Sequence, residues 1–234
     1  STAIACYGDD GQIRVNITGD SNGNGSNQNY VYTLTGTDYN GNSVNQSVSK
    51  TTLNHTFTTK AGTYKVKVTD ANGCFKETAN ITLTQPAAAL SLSLTDTDIT
   101  CFGLTNGSIN STVSGGTANY TYVWKKNGTT LNNETGANID NLGTGTYELK
   151  VTDNNGCTIT QTATITQPTE LTVNSITPSN YNGFGVKCKG DSNGTIDLNV
   201  TGGTAPYTYV WKKNGTTINN VTTQDLSGLG VGTY

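Results

Sequence analysis

Five cysteines, at positions 6, 74, 101, 157 and 188, are the side chains best placed to do chemistry, and that chemistry is cross-linking. They fall into two classes. Cys6, Cys101 and Cys188 each open a glycine-rich turn (Cys6-Tyr-Gly, Cys101-Phe-Gly, Cys188-Lys-Gly). Cys74 and Cys157 each follow an Asn-Gly pair. One cysteine of each class per repeat suggests one disulfide per repeat, and so an oxidising, extracytoplasmic setting. Three schemes stand open. The first pairs Cys6 with Cys74 and Cys101 with Cys157; Cys188 would then await a mate ten residues past Tyr234, as Cys157 is ten past Tyr147. The second is staggered, Cys74 with Cys101 and Cys157 with Cys188, with Cys6 joined to something upstream. In the third the thiols are reduced and buried as small apolar groups. The first scheme carries a difficulty. In a simple sandwich the two cysteines of one repeat lie at opposite poles, so the first must cross over.

Other chemistry has less to stand on. His55 is the only histidine, which rules out a two-histidine metal site and leaves no repeated base beside a thiol. It reads as a surface or loop residue. Asp9, Asp10, Asp191 and Asn193 lie in the turns after the first-class cysteines, where oxygen ligands for calcium would be at hand. Repeat two has Leu104 and Thr105 there instead, and turn formation accounts for Asp, Asn and Gly without an ion. Asp70 and Asp153 stand just before the Asn-Gly turns, where they suit bonds to local backbone. Lys125-Lys126 and Lys212-Lys213 read as solvated strand ends. Asn-x-Ser/Thr triplets are what a chain this rich in Asn and Thr produces by chance. Charged residues make up 12% and the formal net charge is −3, with Arg14 the only arginine, so no basic nucleic-acid footprint exists. No apolar run approaches the roughly 18 residues that a membrane helix needs.

The elements that position these cysteines can be read from one stretch. In Gly145 to Cys157, Tyr147, Leu149 and Val151 alternate with Glu148, Lys150 and Thr152, the period of a half-buried strand. Asn155-Gly156 signals a hairpin turn, expected as type I′ with positive φ at both residues. A return strand follows and stops at Pro168. Nearly the same run stands at Gly62 to Cys74 and begins again at Gly232. Recurrence at domain-sized intervals marks a tandem array. The expected repeats are 1–86, the most divergent, then 87–168, then 169–234, truncated, in a fragment of a longer protein. Asp20 to Asn29 reads as a flexible loop. Tyr120–Thr130 and Tyr207–Thr217 are identical.

About seven short strands per unit, with turns every 8 to 12 residues, predict an all-β chain of tandem immunoglobulin-like β-sandwiches. Short connections between units predict an elongated rod. Trp124 and Trp211 are the expected core anchors on a central strand. Tyr64, Tyr147 and Tyr234 are expected as corner tyrosines, ring buried and hydroxyl bonded to backbone. With only 32% hydrophobic residues, a disulfide worth about 2 to 4 kcal/mol matters to each unit.

Taken in order, Ile99-Thr-Cys-Phe-Gly, Asn106-Gly-Ser-Ile, Ser114-Gly-Gly-Thr, Tyr120 to Trp124, Gly145-Thr-Tyr, Asn155-Gly-Cys157 and Thr166-Gln-Pro168 resemble the SprB-type repeat. That family occurs in very large surface adhesins of Bacteroidota, including those used in gliding motility. Repeats two and three match strongly; repeat one keeps its ends and departs in the middle. The resemblance implies export, by the type IX secretion system, and display at the cell surface in association with the outer membrane. It implies a non-enzymatic stalk with no catalytic residues to carry over; the residues themselves lead to an expectation of no cofactor and no metal. Its partners would be an external surface or polysaccharide, reached through the full-length adhesin, and the secretion and gliding machinery. The competing reading is a carbohydrate-binding module array of a secreted enzyme, marked by a planar platform of exposed aromatics.

Overall fold

The structure, a computed structural model, describes residues 2–18 and 29–234. Among these no residue is helical. The loop expected at Asp20 to Asn29 lies, but for Asn29, outside the described residues. The chain forms two compact units. One comprises Ser1–Leu94, Ser111–Ala137 and Glu148–Thr162; the other comprises Thr95–Asn110, Asn138–Tyr147 and Ala163–Tyr234.

The first strands are β1 (Gly11–Asn16), β2 (Tyr30–Asp38), β3 (Ser43–Lys50), β4 (Asn54–Thr59), β5 (Gly62–Thr69), β6 (Phe75–Glu77) and β7 (Ile81–Leu83). β1 pairs with β4, with Ile13 opposite Phe57. A second sheet runs β3-β2-β5-β6, and β7 also pairs with β5. Period-two alternation turns Tyr32 and Leu34 of β2 and Tyr64 and Val66 of β5 toward one core, which they share with Ile4, Ile13, Phe57 and Leu83. Each such side chain contributes about 1.5 to 3 kcal/mol by leaving water. Thr33 and Thr35 of β2, opposite Lys67 and Lys65 of β5, stand on the other face.

Next come β8 (Ser91–Thr97), β9 (Gly107–Ser114), β10 (Thr121–Lys126), β11 (Thr129–Thr130), β12 (Ile139–Leu142), β13 (Gly145–Thr152) and β14 (Thr158–Ile165). These make a sheet ordered β12-β9-β8 and a sheet ordered β11-β10-β13-β14. Three strands in one sheet and four in the other, with the chain crossing between them, is an immunoglobulin-like β-sandwich topology. The last strands are β15 (Thr172–Pro178), β16 (Gly194–Thr201), β17 (Lys212–Lys213), β18 (Thr216–Thr217) and β19 (Leu226–Leu229). Their sheet β15-β16-β19 repeats the order of β8, β9 and β12, and β17-β18 repeats the hairpin β10-β11.

The turns correct one expectation. At Asn155-Gly156 only the glycine has positive φ, 88°. Asp153 N–H donates to Cys157 O and Gly156 N–H to Asp153 O, at 2.9 and 3.0 Å. That is a type I turn closed by a left-handed glycine, not type I′. The reason is Asp153: its Oδ1 accepts from the N–H groups of Asn155 and Cys157, both at 2.9 Å, and so holds the wider loop. Asp70 does the same for Asn72 and Cys74, and Asp38 for Asn40 and Asn42. Where lysine precedes the pair, both residues turn left-handed, as in Asn127-Gly128 (48° and 83°) and Asn214-Gly215 (49° and 82°).

Candidate functional site

The one disulfide among the described residues joins Cys6 to Cys157, with Cα atoms 5.7 Å apart. Cys74, Cys101 and Cys188 are unpaired and exposed. This pairing belongs to none of the three sequence schemes. β5 explains why Cys6 does not meet Cys74. Ile4 N–H donates to Thr84 O and Gly8 N–H to Gln85 Oε1, which ties the Cys6 turn to the chain leaving β7. β7 lies against the start of β5, Leu83 opposite Gly62, whereas Cys74 precedes Phe75, opposite Thr69 at the other end. Eight residues of strand separate those ends by about 23 Å. A disulfide needs Cα atoms within about 7 Å. The cysteine that reaches Cys6 sits in the β13–β14 turn instead, where Asn155 Nδ2 donates to Ala5 O at 3.0 Å.

Asp153 sets that turn in place. It is 5% exposed, and its Oδ2 accepts from Thr117 N–H at 2.9 Å. Burial alone would push its carboxyl up; the N–H groups of Thr117, Cys157, Asn155 and Gly156 outweigh burial and hold it below its ordinary value. One carboxylate therefore fixes both the hairpin that carries Cys157 and the Gly115-Gly116 turn beside it. A Cβ on Gly115, at φ 70°, would stand 1.8 Å from Ala89 O, so the backbones there meet directly.

The corner tyrosines make one bond three times over. Tyr64 Oη donates to Lys60 O at 2.9 Å, Tyr147 to Gly143 O at 2.9 Å and Tyr234 to Gly230 O at 3.0 Å. Tyr64 and Tyr147 are buried, and Tyr234 is half-buried. Trp124 is fully buried on β10, and its Nε1 donates to Gly136 O at 3.0 Å. Trp211 donates in the same way to Thr223 O, at 3.0 Å, but is half-buried. β10 lies between β11 and β13, whereas β17 has only β18 beside it.

Several of the remaining candidates have local partners. Asp10 pairs with Lys60 at 2.9 Å. Asp191 Oδ2 accepts from Cys188 N–H and Asn193 Nδ2. His55 packs edge-on against Phe57, ring centroids 4.6 Å apart, and burial, with the charge of Lys50, lowers its pKa. Among the described residues no three His, Cys, Asp or Glu side chains cluster as metal ligands, and no helix is long and apolar enough to cross a membrane. Lys125 is not simply solvated: it bonds Glu148 on β13 at 2.9 Å. Exposed Tyr7 and Tyr39 meet at 68°, edge to face, unlike the coplanar rings of a sugar platform. Sequence reasoning missed the glutamines of Thr-Gln-Pro. Gln85 and Gln167 bond the turn glycines Gly8 and Gly103. The recurrence of that tripeptide was the available signal.

Strand order, corner tyrosines and buried tryptophan define a tandem array of immunoglobulin-like β-sandwich type. Within it, the family model described as the SprB repeat matches residues 93–129 and 186–216. The two segments correspond, Cys101 to Cys188 and Trp124 to Trp211. Comparison with curated proteins finds no match. Solved structures similar to this chain include the N-terminal eight Ig domains of Down Syndrome Cell Adhesion Molecule isoform 1.30.30 (14% identity, 89% of this chain and 27% of that one, TM-score 0.31). Others are the amphioxus IgVJ-C2 molecule (17%, 71% and 100%, 0.30) and extracellular domains 3-5 of Drosophila OTK (13%, 95% and 84%, 0.31).

Proposed function

We propose that this chain is a non-catalytic segment of a large secreted cell-surface adhesin, in which β-sandwich repeats (1–86, 87–168 and 169–234) follow one another as an elongated stalk. The stalk extends the reach of a binding region toward an external surface or polysaccharide, in support of attachment and gliding. The observation that carries this reading is the pair of SprB-repeat matches at 93–129 and 186–216. The cross-link between Cys6 and Cys157 adds to it, since such a bond persists in an oxidising compartment. Export by the type IX system and association with the outer membrane belong to the same proposal. An antibody raised against the purified chain tests the location: intact source cells should label, and brief surface proteolysis should remove the signal. Labelling only after permeabilisation would end the proposal. Small-angle scattering of the purified chain tests the shape, with a maximum dimension well beyond that of a globule of equal mass expected.

A further inference from the structure

Cys101 stands in the frame that Cys6 occupies. Ile99 N–H donates to Thr166 O at 3.0 Å, as Ile4 N–H does to Thr84 O at 2.7 Å. Gly103 N–H donates to Gln167 Oε1 at 3.0 Å, as Gly8 N–H does to Gln85 Oε1 at 2.9 Å. Leu104 N–H closes on Cys101 O and Asp9 N–H on Cys6 O, both at 3.2 Å. Three hydrogen bonds thus hold the backbone of each cysteine turn in the same way, yet Cys6 is bonded and Cys101 is free and exposed.

The partner of Cys6 comes from the next repeat along the chain, and the features that seat it recur after Pro168. Gly116 N–H docks on Ala88 O at 2.9 Å, and Gly203 N–H docks on Thr169 O at 2.8 Å. A Cβ on Gly115 or on Gly202 would meet the linker carbonyl, of Ala89 or Glu170, at the same 1.8 Å. The second linker has one residue fewer between its proline and that carbonyl. We infer that Cys101 is a cross-linking site for the cysteine in the Asp-x-x-Gly-Cys turn of the following copy of this repeat, so that the array is stapled from each unit to the next. Two thiols lose two protons and two electrons to form the new S–S bond; a small-molecule disulfide such as oxidised glutathione accepts them and leaves as two thiols. The inference stands on the cross-link geometry and not on the adhesive role proposed above.

The test extends the full chain past Tyr234 with a second copy of Glu148 to Pro168. Gly115–Tyr147 aligns with Gly202–Tyr234 without a gap, so the addition completes the third hairpin. The protein is oxidised with glutathione, alkylated and mapped as unreduced peptides. The expected bonds are Cys6 with Cys157 and Cys101 with the added cysteine, while Cys74 and Cys188 are alkylated. A bond between the added cysteine and Cys188, or an alkylated Cys101 beside an intact Cys6–Cys157 bond, overturns the inference. A second variant needs no added hairpin. In Cys6→Ser, Cys157 should be recovered alkylated; its capture by Cys101 would show that each hairpin serves its own repeat, and the inference falls.

Discussion

Replacing Cys6 or Cys157 by serine opens a covalent loop that spans 151 residues of sequence. In the chain-entropy account, closing such a loop removes about 17 cal/mol/K from the unfolded state, or about 5 kcal/mol at 25 °C. Residual structure in the denatured chain lowers that figure, so the expected loss is about 3 to 5 kcal/mol. Urea unfolding followed by tryptophan fluorescence is a suitable assay. Trp124 is fully buried and lies in the same compact unit as both cysteines. With a slope of roughly 1 to 3 kcal/mol/M, the midpoint should fall by more than about 1 M. Cys6→Ser, Cys157→Ser and the double variant should coincide, because each removes the same bond. Reduced parent protein should join them. Serine at Cys74, Cys101 or Cys188 should leave the midpoint in place, since those thiols are exposed and unpaired. A shift under about 1 kcal/mol at Cys6, or a double variant weaker than either single one, would refute the reasoning.

Tyr147→Phe keeps the ring and strips the donor from Gly143 O; thermal unfolding should show a loss of about 1 kcal/mol, and Tyr64→Phe should exceed it, because the Tyr64 hydroxyl also accepts from buried Thr59 Oγ1 at 3.1 Å. Gly115→Ala and Gly128→Ala both place alanine at positive φ, but the first Cβ meets Ala89 O and the second meets open space. Gly128→Ala should cost about 1 kcal/mol and Gly115→Ala at least about 2 kcal/mol more, read from chemical denaturation. Asp153 gives a pH signature. Its folded pKa is depressed below the ordinary 3.8, so its contribution is present above that value and is lost as pH falls through the folded one. Acid titration of the unfolding midpoint should therefore be flatter in Asp153→Asn than in the parent; equal slopes would remove the carboxylate from the account.

The alternation in Tyr147, Leu149 and Val151 made the strand legible, because burial of one face with a period of two needs nothing beyond local sequence. The corner hydroxyl was legible for a similar reason: its acceptor lies only four residues back. Cysteine pairing was not legible. Which turn Cys6 meets depends on where Gln85 and Thr84 tie its loop along β5, and spacing between cysteines carries no record of that. Trp211 shows the same limit. Its eleven-residue context is identical to that of Trp124, yet one indole is fully buried and the other half-buried, because strand neighbours and not local sequence decide burial.

The Asn-Gly pairs show how much a single upstream residue decides. A dipeptide with high tolerance for positive φ permits either turn and selects neither. An aspartate two residues before the asparagine selects the wider loop, since its carboxylate can satisfy two N–H groups there, at Asn155 and Cys157. Lysine in that position offers no acceptor, and Asn127 and Asn214 go left-handed. The consequence reaches the cross-link. In the wider loop, Cys157 is the residue paired back to Asp153, and its N–H and carbonyl are both bound to that aspartate. A type I′ turn would place Cys157 one step along the returning strand and, by the alternation of side chains, on the other face. Asp153 thus determines which way the sulfur points, and the aspartate and the cysteine four residues later act as one device.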